Sequence, residues 1–174
     1  MIERIRVTLA ADLVERCRQI AIARDAIKLG STDRRVSKRP GWAIHFDGLR
    51  AECAVAWYLG APELVSFSVD LHGDGGSDLR LRGLAIQVKA STYQPPLLRF
   101  DPTGSQRFRA NAGALAFVPS DDGACWVDLY GWIWRDEFMR RAQRRDFGYG
   151  ERLVVGPPLH PLHLLSELTE AIAA

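Results

Sequence analysis

Residues 77–89, Ser77-Asp78-Leu79-Arg80-Leu81-Arg82-Gly83-Leu84-Ala85-Ile86-Gln87-Val88-Lys89, alternate apolar and polar side chains on either side of Arg82-Gly83. That is the pattern of two strands joined by a two-residue turn. Pairing outward from the turn sets Leu81 opposite Leu84, Leu79 opposite Ile86 and Asp78 opposite Gln87, so the apolar residues share one sheet face. Asp78, Gln87 and Lys89 then leave on the other face, opposite Leu79, Ile86 and Val88. A carboxylate, an amide oxygen and an ammonium converge in one small patch.

Upstream of the hairpin, apolar residues recur at helical spacing from Asp12 to Leu29, with Gly30 as the stop. Ser31 to Gly41 is basic and polar and reads as an exposed connection. Asp47 is placed to cap a second helix that runs to about Leu59, ended by Gly60 and Pro62. In that helix Leu49, Cys53, Ala56 and Leu59 form an apolar stripe expected to face the sheet, and Glu52 belongs to the stripe. A carboxylate on an inward face costs several kcal/mol unless it is paired or binds a metal. A salt bridge to an arginine or to Lys89 is the plain alternative.

Leu64 to Val69 reads as a strand, and the glycine- and aspartate-rich segment from Asp70 to Ser77 as a turn. Beyond the hairpin, Tyr93 to Asn111 carries four Pro or Gly punctuations and is expected to be irregular and to lie over the surface. Strands are expected at Ala114 to Val118 and Cys125 to Ile133, then a basic helix from about Asp136 to Arg144, a short strand near Leu153 to Val155 and a helix from Leu162 to Ala173. Trp126, Tyr130, Trp132 and Trp134 fall on one face of a strand, where core packing outweighs base stacking as an explanation. This order of elements predicts an α/β sandwich, a central mixed sheet flanked by helices.

The chain has 174 residues, 47% hydrophobic and 25% charged, which predicts one globular domain over 1–174. The longest apolar run, Ala112 to Pro119, is far short of the roughly 20 residues that span a bilayer, so no membrane partner is expected. The N-terminus lacks an apolar secretory segment, and a cytoplasmic protein is expected. Three widely spaced cysteines, Cys17, Cys53 and Cys125, form neither a disulfide framework nor a zinc motif. His160-Pro-Leu-His163 is a poor metal site. Neither a G-x-G-x-x-G nor a P-loop pattern occurs, which argues against a nucleotide cofactor.

Net charge is only +2, but its distribution is uneven. Arg34, Arg35, Lys38 and Arg39 crowd one loop, and Arg135, Arg140, Arg141, Arg144 and Arg145 crowd the basic helix, so either could neutralise phosphates or be a solvated face.

Ser77-Asp78-Leu79, the hairpin, Ile86-Gln87-Val88-Lys89-Ala90-Ser91-Thr92 and the preceding small-residue helix bearing Glu52 together resemble the core of the PD-(D/E)XK nuclease superfamily. The resemblance runs from about Asp47 to Thr92 and implies a restriction-endonuclease-like fold. By it Asp78 is the metal-binding aspartate and Lys89 the active-site lysine. Gln87 stands where Glu or Asp is usual, a departure that removes one negative charge, and Glu52 matches the helix glutamate of many members. The implied function is a metal-dependent DNA endonuclease, with Mg2+ or Mn2+ held by Glu52, Asp78, the Gln87 amide oxygen and the Val88 carbonyl. By the same resemblance Lys89 would orient or help deprotonate the attacking water and stabilise the transition-state phosphate. Ser91, Arg34, Arg35, Lys38, Arg39, Arg141 and Arg144 are candidate DNA contacts, whereas Ser91, Thr92 and His45 are not assigned to covalent catalysis. A homodimer or a targeting partner protein fits such a small nuclease. The alternative is a catalytically inactive nuclease-fold module that binds nucleic acid or a partner protein.

Overall fold

The computed structural model describes residues 4–28, 39–69, 77–103, 107–148, 150–165 and 167. The hairpin forms in the expected register. β2 (Leu79–Leu81) pairs antiparallel with β3 (Leu84–Ser91), with Leu81 opposite Leu84 and Leu79 opposite Ile86. Arg82 and Gly83 have φ of 48° and 86°, the two positive values that a type I′ turn requires.

β3 is the pivot of a five-stranded mixed sheet. β5 (Ala112–Phe117) runs parallel to β3, β6 (Trp126–Trp134) antiparallel to β5, and β1 (Ile5–Thr8) antiparallel to β6, giving the order β1-β6-β5-β3-β2. β1 was not expected. It is anchored where Arg6 faces its register partner Asp128, which is 1% exposed and accepts from Arg6 Nε and Nη2 at 2.7 and 2.9 Å.

One face of this sheet carries Ile86, Val88, Ala114, Ala116, Val127 and Leu129, and buries them against α2 (Gly41–Tyr58), on which α1 (Ala11–Lys28) packs in turn. The expectation for α2 needs two corrections. Its N-cap is Pro40, and Asp47 lies almost two turns inside the helix, 4% exposed and ion-paired with Arg50. Within the supposed sheet-facing stripe, Cys53 instead meets Cys17 of α1, with the sulfurs 3.6 Å apart. That contact and burial push the Cys53 thiol well above its ordinary range.

The other face is covered differently from the expected helical layer. A second sheet, β4 (Leu98–Phe100), β8 (Glu151–Val155) and β7 (Gln143–Asp146) in that order, lies there with α3 (Arg135–Arg141). Leu98, Phe100, Phe108 and Phe138 join Ala85, Leu115, Tyr130 and Ile133 in a second core. Phe100 and Phe108 stack at 4.1 Å, and Phe138 meets both edge-on. The segment from Tyr93 to Asn111 makes the crossover that parallel strands need; Tyr93, Gln94, Arg107 and Arg109 lie at the surface as expected, while Leu98, Phe100, Phe108 and Ala110 are buried in the second core. The basic helix stops at Arg141, and Arg144 and Arg145 belong to β7.

The aromatic stripe of β6 is split between the two cores. The register shifts between Leu115 and Ala116, and Gly131 takes φ of +120°, so Tyr130 turns into the second core while Trp132 and Trp134 stay with the first. Residues 65–69 form no strand and follow a 3-10 turn at Pro62–Leu64. All but Ser77 of the turn expected from Asp70 to Ser77, and most of the helix expected from Leu162 to Ala173, lie outside the described residues; residues 162–165 and 167 are helical. Among the described residues no helix is long and apolar enough to cross a membrane.

Candidate active site at the open end of the hairpin

β2 begins at Leu79 while β3 continues to Ser91, so the last half of β3 runs past the end of its partner. At that point Asp78 takes over the pairing. Its backbone N–H donates to the Ile86 carbonyl at 2.9 Å, and its Oδ2 accepts from the Val88 N–H at 2.5 Å, in place of a strand carbonyl. In an extended strand the N–H and C=O of one residue leave on the same side. The Val88 carbonyl is accordingly directed to the side where β2 has ended.

Gln87 lies between these residues, 5% exposed. Its Oε1 is buried and meets no hydrogen-bond partner among the described residues. An acceptor left in that state costs about 1–3 kcal/mol. A hard divalent cation, which takes oxygen ligands from carboxylates, amides and backbone carbonyls, would satisfy it. The donor set at the end of the hairpin, Asp78, Gln87 Oε1 and the Val88 carbonyl, is of that chemistry.

Lys89 follows on the same strand face as Gln87, with its Nζ 5.0 Å from the centre of the Phe100 ring. It lines a cleft of about 330 Å³ that wraps the exit end of β3, together with Asp47 and Gly48 of α2, Ser91, Tyr93 and Arg99. Glu52 is carried by α2 on the other side of the sheet. α2 packs on the Ile86 and Val88 face, opposite Gln87 and Lys89, and Glu52 is partly buried one turn beyond Gly48. A methyl group built on Gly48 would stand 3.9 Å from Glu52 Oε1. Asp78 and Val88 are thus in direct contact, Gln87 precedes Val88 on the strand, and Val88 and Lys89 line the cleft, whereas Glu52 lies near the cleft-lining Gly48 of α2 without lining the cleft itself. Among the described residues no cluster of three or more His, Cys, Asp or Glu side chains is arranged to hold a metal, so oxygen ligands beyond carboxylates would be needed here.

Arg34, Arg35 and Lys38 lie outside the described residues. Arg39 lines the cleft and is ion-paired with Asp47. Ser91 is 7% exposed, and its hydroxyl closes a turn by donating to the Tyr93 carbonyl at 3.1 Å and accepting from the Tyr93 N–H at 3.3 Å. Arg141 pairs with Glu137 at 2.8 Å and Arg144 with Glu151 at 2.9 Å.

Two features of the neighbourhood were not read from the sequence. Arg50 is fully buried; it holds Asp47 Oδ1 at 2.8 Å and donates to the carbonyls of Pro119, Asp121 and Ala124 at 3.0, 3.3 and 3.1 Å, tying α2 to the β5–β6 connection. An Asp and an Arg three apart in an otherwise apolar helix was its available signal. The other is the pairing of Tyr93 with Arg99, which the Pro-rich composition around them obscured.

Comparison with known proteins adds no relative: no family model, curated protein or solved structure matches the chain significantly.

Proposed function

We propose that the chain is a metal-dependent DNA endonuclease of the PD-(D/E)XK type, with a restriction-endonuclease-like core formed by α2, β2, β3 and β5. The observation that carries it is the buried Gln87 Oε1, which meets no hydrogen-bond partner among the described residues, on a strand whose next residue, Val88, donates its N–H to the Asp78 carboxylate at the end of the hairpin. Asp78, Gln87 and Val88 would hold Mg2+ or Mn2+, with Glu52 adding a second carboxylate. When bound, the cation supplies Lewis acidity toward the scissile phosphate.

The remaining work falls to this chain's own groups. Lys89, on the strand face of Gln87, orients the attacking water and offsets the negative charge that grows on the phosphate oxygens in the transition state. The Val88 N–H fixes one oxygen of Asp78 and so holds its carboxylate in place for the ligand role. No side-chain nucleophile is required, and Ser91, whose hydroxyl is engaged with Tyr93, takes none.

One observation favours a second reading, an inactive nuclease-fold module that binds nucleic acid or a partner protein: with the neutral Gln87, the described residues contain no acidic cluster of three. Cleavage of labelled single-stranded, duplex and branched DNA in Mg2+ or Mn2+ separates the two. Cutting that Asp78→Ala and Lys89→Ala both abolish is expected. Wild-type protein that binds DNA and cuts none in either metal would favour the inactive module.

A further inference from the structure

Ser91 and Gln94 bracket a short turn at the mouth of the cleft. The Ser91 hydroxyl bonds both the N–H and the carbonyl of Tyr93, and Gln94 Oε1 accepts from the Tyr130 hydroxyl at 3.1 Å. Between these anchors Tyr93 projects outward, 67% exposed. A large aromatic side chain on a doubly anchored turn loses little freedom when something stacks on it.

Arg99 stands beside it. Leu98 and Phe100 turn into the second core, which leaves Arg99 on the opposite face of β4, toward the cleft. Its guanidinium carbon lies 5.8 Å from the centre of the Tyr93 ring and 4.4 Å from that of Phe147. Among the described residues no carboxylate pairs with it, and its Nε is buried without a hydrogen-bond partner. A cation held by two rings, with an unmet donor and no counter-ion, suits a phosphate. Lys89 lines the same cleft. Its volume of about 330 Å³ is at the lower end of what holds one small ligand, and so suits one nucleotide and not the body of a duplex.

We infer that Tyr93 and Arg99 form a subsite for one unpaired nucleotide of DNA, the base stacked on Tyr93 and its phosphate held by Arg99, which makes a single-stranded segment the preferred substrate. This deepens the nuclease reading and rests on it for the cutting step alone. A paired base keeps both faces inside its stack and cannot offer one to Tyr93, whereas every unpaired base can, whatever its identity. The subsite therefore selects strand state and not sequence.

The test is fluorescence anisotropy in EDTA, where nothing is cut, with a labelled deoxyoligonucleotide and its blunt duplex. Tyr93→Ala should weaken single-strand binding by about 5- to 150-fold, the range for loss of one base stack, and leave duplex binding unchanged. Tyr93→Phe, which keeps the ring, should bind as wild type does, and Arg99→Ala should flatten the salt dependence. The same variants are then assayed for cleavage in Mg2+. Single-strand binding equal in wild type and Tyr93→Ala, an equal loss on both substrates, or no binding of single strand by wild type would overturn the subsite. Tyr93-dependent binding without cleavage would sustain the subsite and overturn the nuclease; cleavage indifferent to Tyr93 would do the reverse.

Discussion

Gln87→Glu adds a negative charge where the structure buries a neutral amide oxygen that has no hydrogen-bond partner among the described residues. An ordinary glutamate titrates near about 4.3, and buried ones reach about 8–9. At pH 7 the penalty is capped at about 4 kcal/mol, roughly 2.7 pKa units at 1.36 kcal/mol each, because beyond that the carboxyl takes up a proton instead. Lys89, two residues along on the same face, offsets part of this, leaving about 2–4 kcal/mol. At about 2–4 °C per kcal/mol for a chain of this size, Tm falls by about 4–16 °C in EDTA. The folded-state pKa is raised above the unfolded one, so the penalty is absent below about pH 4, grows as pH rises, and levels off above the folded value. With Mg2+ or Mn2+ present the new carboxylate gains a partner, and metal at about 100 times its Kd returns roughly 2.7 kcal/mol. Thermal unfolding by circular dichroism at pH 5, 7 and 8.5, with EDTA and with each metal, measures all of this. An unchanged Tm at pH 7 in EDTA, or a loss that neither metal reverses, would refute the assignment of Gln87 to a cation site.

Arg50→Ala leaves the carbonyls of Pro119, Asp121 and Ala124 without this donor and Asp47 without its buried partner, and should cost about 3–5 kcal/mol in urea unfolding; a loss under about 1 kcal/mol would contradict the role given to Arg50. Gly131→Ala forces a side chain onto φ of +120° and brings its Cβ within 2.5 Å of the His160 carbonyl oxygen, so a loss of at least about 2 kcal/mol is expected from the same assay, and a neutral result would mean the bulge relaxes. Burial raises the Glu137 carboxyl, but hydrogen bonds from His160 and Arg141 outweigh it and hold the pKa below the ordinary range. Its contribution is present above the unfolded-state pKa and lost as pH falls through the folded one, so His160→Ala should shallow the acid limb of the stability profile, by less than about 1 kcal/mol because both groups are partly exposed.

The hairpin was legible because its two strands alternate strictly and Arg82-Gly83 suits a tight turn; the register that sets Asp78 beside Gln87 follows from those facts alone. Elsewhere local pattern and tertiary setting disagreed. Asp47 precedes an apolar run, as a cap would, but Arg50 gives it a partner inside the helix that no propensity reveals. β7 is exposed along its whole length, so Gln143–Asp146 has no apolar alternation and reads as a continuation of the basic helix. The prolines near Tyr93 signal loop, although Leu98, Phe100 and Phe108 between and beyond them supply the second core. Trp126 to Trp134 keeps period two in sequence, but the extra residue at the bulge inverts which face its later members reach. The candidate site inherits both outcomes: Asp78, Gln87, Val88 and Lys89 came from the legible hairpin, whereas Tyr93 and Arg99 depend on the folding of the segment that was not.

Whether the open end of the hairpin binds a divalent cation is asked most directly by titrating Mn2+ into wild type, Asp78→Ala and Gln87→Leu and following the free-ion EPR signal, with folding of each variant checked by circular dichroism. Saturable binding by wild type that weakens at least about tenfold in both folded variants is the expected result. Equal binding by all three proteins, or none by wild type, would contradict the metal site on which the proposed nuclease depends.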